Sequence, residues 1–449
     1  MVSALNVRAL SETAVAHIGL IRLAPGVRAR HALTYLWAAF VSIGVFGYFV
    51  AMQPYLLAVN LHIPPEQQGG VSGDLQFWQE IAALPLIGFI GALSDRTGRR
   101  IVYTFGWLVM ALAFAVAPFA NDYAQLLGGR LIFAVAVATL GAMLQVVLAD
   151  YPVEQDRGKL AGLAVVLNSL GFLLFLSVLT RLPATFRNAG LSEVWAGRAT
   201  FWCIGGVCVV SALLMWGLRP GLPYHLARGS RLASAAASPT IRHLMAQGLA
   251  AGRHPRIALA YASSFMARAD LVIVALFLAL WAQLAAQADG FTAADAAKHQ
   301  GLLFAIVQGS ALLWAPLFGW LADRLDRVSL VTLAIALSIV GYGWIGFIDN
   351  PLHRSAFPAA VTLGIGQTSG VLAVQVLVGE EAPQAIRGSV VGMVVLFGAL
   401  GILVISKLGG YAFDHWRPGA PFLIMAAANV PLLLFALYVR VRAPRSTRF

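Results

Sequence analysis

Long apolar runs constrain this chain more than any other feature. They lie near 33–58, 73–94, 101–120, 124–149, 158–180, 200–218, 258–284, 300–321, 329–348, 357–378, 388–408 and 419–439. A helix needs about 20 apolar residues to cross roughly 30 Å of hydrocarbon, so the pattern predicts twelve spans. A membrane β-barrel would instead need short strands of alternating polarity, a pattern not seen here. Composition agrees, with 59% hydrophobic and 11% charged residues, far from the values of a soluble domain. The reading is an all-α membrane protein whose first partner is the lipid bilayer.

Two phrases in the polar connections occur twice. Gly91-Ala-Leu-Ser-Asp95-Arg96-Thr-Gly98-Arg99-Arg100 returns 228 positions later as Gly319-Trp-Leu-Ala-Asp323-Arg324-Leu-Asp326-Arg327. Asp150 followed by Arg157-Gly158 returns as Glu380-Glu381 followed by Arg387-Gly388, with the arginines 230 apart. Repetition at one offset predicts two pseudo-symmetric six-helix bundles, an architecture of transporters. The bundles are expected over 33–218 and 257–441, joined by a polar connection at 219–256 and flanked by tails at 1–32 and 442–449.

The net charge of +12 reads as topology and not as nucleic-acid binding. With the N-terminus inside, 22 Lys and Arg fall on the cytoplasmic side. The outer loops then hold 7, including Lys407, and Arg130 and Arg268 lie within spans. That bias follows the positive-inside rule and places both termini in the cytoplasm. The apolar segment after Arg30 is too long for a cleaved leader, and 13–24 is expected either to lie on the membrane as an amphipathic helix or to be disordered. Compact loops and an excess of Arg over Lys, 28 to 3, point to a bacterial cytoplasmic membrane.

Cys203 and Cys208 offer no metal spacing, and the 9 histidines fall in tails, loops or span ends. Without a metal cluster or a phosphate-binding Gly-Lys-Ser/Thr loop, no cofactor and no enzymatic activity are expected. Energy would come from an ion or substrate gradient.

Together these motifs resemble the major facilitator superfamily over essentially the whole chain. The resemblance implies that Gly91 lets helices approach closely and that Asp95 meets the start of the eleventh helix. It also brings Arg99 to Asp150 at the end of the fourth span. Gly91, Asp95, Arg96, Gly98, Arg99, Asp150 and Arg157 would form a cytoplasmic gate, with Asp323, Arg324, Glu380 and Arg387 as its second copy. There Asp326 replaces the second glycine, which predicts a weaker or differently wired gate.

Charges inside spans are costly and usually functional. By helical rise, Glu80 lies roughly 16 Å deep and Arg268 and Asp270 roughly 17–20 Å deep. Asp74 and Arg130 lie further out at similar depth, so they are read as an ion pair. The resemblance ties Arg130 to proton coupling, although the usual nearby glycine is missing. Either Glu80 or Asp270 is expected to carry a proton, or these charges form fixed pairs such as Arg268 with Asp270. Residues two apart point about 200° from each other, so Arg268 and Asp270 cannot share one narrow face.

By resemblance, spans one, four, seven and ten line a cavity. Tyr48, Gln53, Tyr55, Gln145, Ser263, Gln367 and Gln375 would then face a small organic substrate, unless each is helix-packing glue. The expectation is a monomeric, proton-coupled secondary transporter. A multidrug efflux antiporter is the alternative, weakened by a fifth span without proline over 161–172. A non-transporting receptor on the same fold is the alternative of another class.

Overall fold

The computed structural model describes residues 16–221, 241–383 and 386–442. Residues 13–15 of the tail, 222–240 of the central connection, Gln384, Ala385 and 443–449 lie outside the described residues. Among the described residues, eleven helical segments are long and apolar enough to cross a membrane, or twelve if a bent pair counts as one span. The bent pair is Pro65–Leu86 with Phe89–Thr97, inclined by 42°. Pro85 lies inside this helix and removes a backbone donor, a common cause of such a kink.

The first span combines α1 (Ala29–Ala51) with α2 (Gln53–Val59), and α3 (Gln68–Thr97) is the bent helix. They are followed by α4 (Arg99–Val116), α5 (Tyr123–Asp150), α6 (Arg157–Ser177), α7 (Leu182–Asn188) and α8 (Glu193–Leu214). After the central connection come α9 (Ile241–Ala251) and α10 (Pro255–Val272). A π-helical stretch, Ile273–Leu278, leads from α10 into α11 (Ala279–Ala288). The remainder is α12 (Ala293–Arg324), α13 (Arg327–Phe347), α14 (Phe357–Glu381), α15 (Arg387–His415) and α16 (Ala420–Arg442). Because α15 runs to His415, Lys407 is a span residue and not the loop residue expected from the sequence.

The expected amphipathic helix over 13–24 is replaced, in its described part, by a hairpin of β1 (His17–Ile18) and β2 (Ile21–Arg22). Its backbone binds the turn after α5, through Ala24 N–H to Tyr151 O (2.8 Å) and Val153 N–H to Arg22 O (3.1 Å). Arg22 also bonds Asp156 at 2.8 Å, and this hydrogen bond and charge push its guanidinium above its already high pKa. Ile21, Leu23 and Val27 are buried. Burial and backbone pairing to protein replace the lipid contact that an interfacial helix would need.

The chain forms two compact units. One comprises 1–48, 81–175 and 198–238; the other comprises 49–80, 176–197 and 239–449. In the first, α1 and α6 approach so closely that a Cβ on Gly171 would strike Phe40 O. In the second, α10 and α15 do the same at Gly401, against Phe265 O. Small residues at crossings let helices pack without a hydrophobic driving force between them.

Candidate functional site

The turn between α3 and α4 is held by one arginine. Arg99 Nη1 lies 2.5 Å from Asp95 Oδ1 and donates to Ser94 Oγ at 2.5 Å. Arg99 Nε donates to Asp150 Oδ2 at 3.1 Å, as expected. The Arg99 side chain is only 10% exposed, so these acceptors replace water around a nearly buried cation. Gly98 makes the turn possible with φ 92° and ψ 147°, a region that side chains avoid. A Cβ there would also lie 2.8 Å from Gly221 O.

The second copy keeps part of this wiring. Arg327, 228 positions after Arg99, pairs with Glu380, 230 after Asp150. Arg157 bonds Ala149 O, and Arg387 repeats the bond to Gly379 O at the same offset of 230. Asp326 stands where the first copy has Gly98, with φ −60°. Its Oδ2 accepts from Val328 N–H at 3.1 Å and caps α13. Arg256 adds a second cation, 3.7 Å from Asp326 and 2.7 Å from Glu381. Arg324 stacks on Trp320, its Cζ 3.9 Å from the ring centre, whereas Arg96 is exposed.

Within the spans, α10 sends its two charges to different neighbours. The Arg268 stem lies against α15 where Gly398 leaves room, since a Cβ at 398 would collide with it. Glu80, an acidic residue within α3's apolar run, is 8% exposed. Asp270 faces Tyr342 of α13 and Gly370 of α14. Arg268 and Asp270 are therefore not a pair, in keeping with their angular separation on one helix.

The predicted Asp74–Arg130 pair is also corrected. Asp74 is bound to Lys407 of α15, a partner hidden from sequence by its placement in a loop. Arg130 is fully buried in the other unit, with its Cζ 5.6 Å from the Phe133 ring centre. Beside the Asp74–Lys407 pair, Asp414 accepts from Gly69 N–H (2.8 Å) and Gly70 N–H (2.6 Å) at the start of α3. A carboxylate there satisfies donors that a helix start leaves open. Neither Lys407 as a partner of Asp74 nor Asp414 was legible in the residue order. The cluster Gly69, Gly70 and Gly73 was the available signal of close approach.

The cavity candidates divide by burial. Tyr48 is buried edge-on to Phe175. Gln53 donates to Ser72 Oγ at 2.9 Å, and the Tyr55 hydroxyl donates to Glu193 O at 2.5 Å. Gln367 and Ser263 are buried, while Gln145 and Gln375, again 230 apart, are exposed.

The model of the Major Facilitator Superfamily matches residues 34–404 and 260–449. The chain belongs to that superfamily. It is similar to the magnetosome protein MamZ of Magnetospirillum gryphiswaldense, 28% identical over 87% of this chain and 59% of that protein. It is 29% identical to the magnetosome protein MamH of Paramagnetospirillum magneticum, over 93% of this chain and 94% of that protein. The chain thus spans about three-fifths of MamZ but nearly all of MamH. Among solved structures, the nucleoside transporter NupG shares the superfamily fold with a TM-score of 0.68 at 16% identity, covering 91% of this chain and 98% of that one.

Proposed function

We propose that this superfamily member is a secondary active transporter that moves a small organic solute by alternating access, coupled to protons. The bilayer is the bacterial cytoplasmic membrane with both termini inside, as the excess of Lys and Arg on the cytoplasmic side supports, an excess that the placement of Lys407 within α15 only widens. The observation that carries the reading is the presence of opposite charges inside the spans, Glu80 buried on α3 and Arg268 on α10, within a superfamily chain. A carboxylate that meets a guanidinium in one state and a proton in another couples helix movement to protonation. Asp270 is the second candidate carrier. The Arg99 and Arg327 turns act as gate elements that must open and re-form in each cycle. Gln145 and Gln375, exposed at equivalent positions, are suited to hydrogen-bond a polar part of the solute.

Proteoliposomes with an internal pH dye test this reading against anionic, cationic, zwitterionic and neutral compounds. Compound-dependent pH change is expected in the parent. Glu80→Gln should lose gradient-driven accumulation while retaining solute exchange. Silence across the panel with ligand binding intact would overturn proton coupling, and binding without any flux would favour the receptor alternative.

A further inference from the structure

At the ends of α13 and α15, opposite the Arg327 turn, the second compact unit carries an open recess of about 310 Å³. Trp281, Ile348, Asp349, Trp416 and Arg417 line it. The 21 residues of α13 rise about 30 Å, the thickness of the hydrocarbon layer. Ile348 and Asp349, just beyond its last turn, therefore stand at the polar boundary of the membrane. Trp416 is 66% exposed beside them, in keeping with the enrichment of tryptophan at that boundary. Trp281 is buried against Phe422 and gives the recess one rigid wall.

Arg417 and Asp349 bring opposite charges into this one recess. Arg417 Nη2 donates to Ile348 O at 3.0 Å, Phe347 O at 3.4 Å and Asp349 Oδ1 at 3.2 Å. The carbonyls belong to the end of α13, where helix geometry leaves acceptors open, so backbone fixes the guanidinium in place. Among the described residues its Nε and Nη1 make no hydrogen bond. The Asp349 side chain is fully exposed, and a pair so open to solvent adds little to stability. On α13, Val340, Trp344 and Phe347 are exposed at spacings of four and three. That spacing makes one apolar stripe, and it leads along the helix to Ile348 in the recess.

We infer that the recess binds the headgroup of a zwitterionic phospholipid with a primary ammonium, that of phosphatidylethanolamine. Its phosphate accepts charge-assisted hydrogen bonds from the nitrogens that Arg417 leaves unengaged. Its ammonium lies between the Asp349 carboxylate and the Trp416 ring, which joins an ion pair to a cation–π contact. The acyl chains follow the stripe on α13. An anionic headgroup would meet Arg417 but be repelled by Asp349. A choline headgroup has no N–H to give the carboxylate, and a soluble solute would leave the stripe unused. The site requires a membrane-spanning chain and is independent of what the chain transports.

Native mass spectrometry of the full chain, delipidated in detergent, tests this with phosphatidylethanolamine, phosphatidylglycerol and phosphatidylcholine of identical acyl chains. The parent should bind phosphatidylethanolamine most tightly. Arg417→Gln should weaken that binding about tenfold, the effect of losing a charge-assisted hydrogen bond. Asp349→Asn should cut the preference over phosphatidylglycerol about threefold. Trp416→Ala should weaken both zwitterionic lipids about threefold. Thermal unfolding of each variant checks folding, and Asp349→Asn, at a fully exposed side chain, keeps the test open if Arg417→Gln does not fold. Equal affinity of the parent for the three lipids would overturn the site, as would parent-like values in Asp349→Asn or in folded Arg417→Gln. Displacement of the lipid by an equal concentration of glycerophosphoethanolamine, the same headgroup without chains, would overturn the lipid as its occupant.

Discussion

The turn after α3 and the turn after α12 descend from one phrase yet solve the same problem differently. In the first, a glycine takes a backbone conformation closed to other residues, and one nearly buried arginine gathers Asp95, Asp150 and Ser94. In the second, Asp326 caps the next helix with ordinary dihedrals and shares charge with Arg256. Arg327 pairs with Glu380, a carboxylate whose side chain is 53% exposed, against 21% for Asp150. The first turn concentrates its stability in one cation and one glycine. The second spreads it over two cations and a cap.

Substitution should therefore hurt the first turn more than the second. Arg99→Gln leaves two carboxylates without their cation and should cost about 3 kcal/mol, with at least a roughly tenfold loss of transport at normal membrane insertion. Thermal unfolding of the purified chain and flux in proteoliposomes would read both, and parent-like values would remove the distinction. Gly98→Ala forces a side chain into a forbidden conformation and against Gly221 O, so about 2 kcal/mol is expected from the same unfolding measurement. Asp326→Ala removes the α13 cap and should cost about 1 kcal/mol. If it matched Gly98→Ala, the cap would be as indispensable as the glycine. Arg327→Gln should cost about 0.5 kcal/mol and less in high salt, because its pair is open to solvent. A salt-independent loss as large as that of Arg99→Gln would show the two turns to be energetically equal.

Offset counting alone revealed that Arg99 and Arg327 are counterparts, because chain repetition survives in residue order. It also marked Asp326 as the point of departure. Their acceptors were less legible, since Arg256 belongs to a distant helix and reaches Asp326 only through folding. Lys407 shows another limit. An apolar run does not mark its own last turn, and extension of α15 to His415 turned a supposed loop charge into the partner of Asp74.

Residue order was sufficient to establish a membrane-spanning, twice-repeated chain, since hydrocarbon thickness dictates the length of apolar runs and a repeat keeps its offset. Helical pitch likewise required Arg268 and Asp270 to diverge. Which neighbour each would meet was decided by packing. Gly398 leaves a channel for the Arg268 stem, while Gly370 and Tyr342 enclose Asp270. Such choices depend on the side chains missing or present on helices distant in sequence, and only the assembled tertiary structure brings those surfaces together.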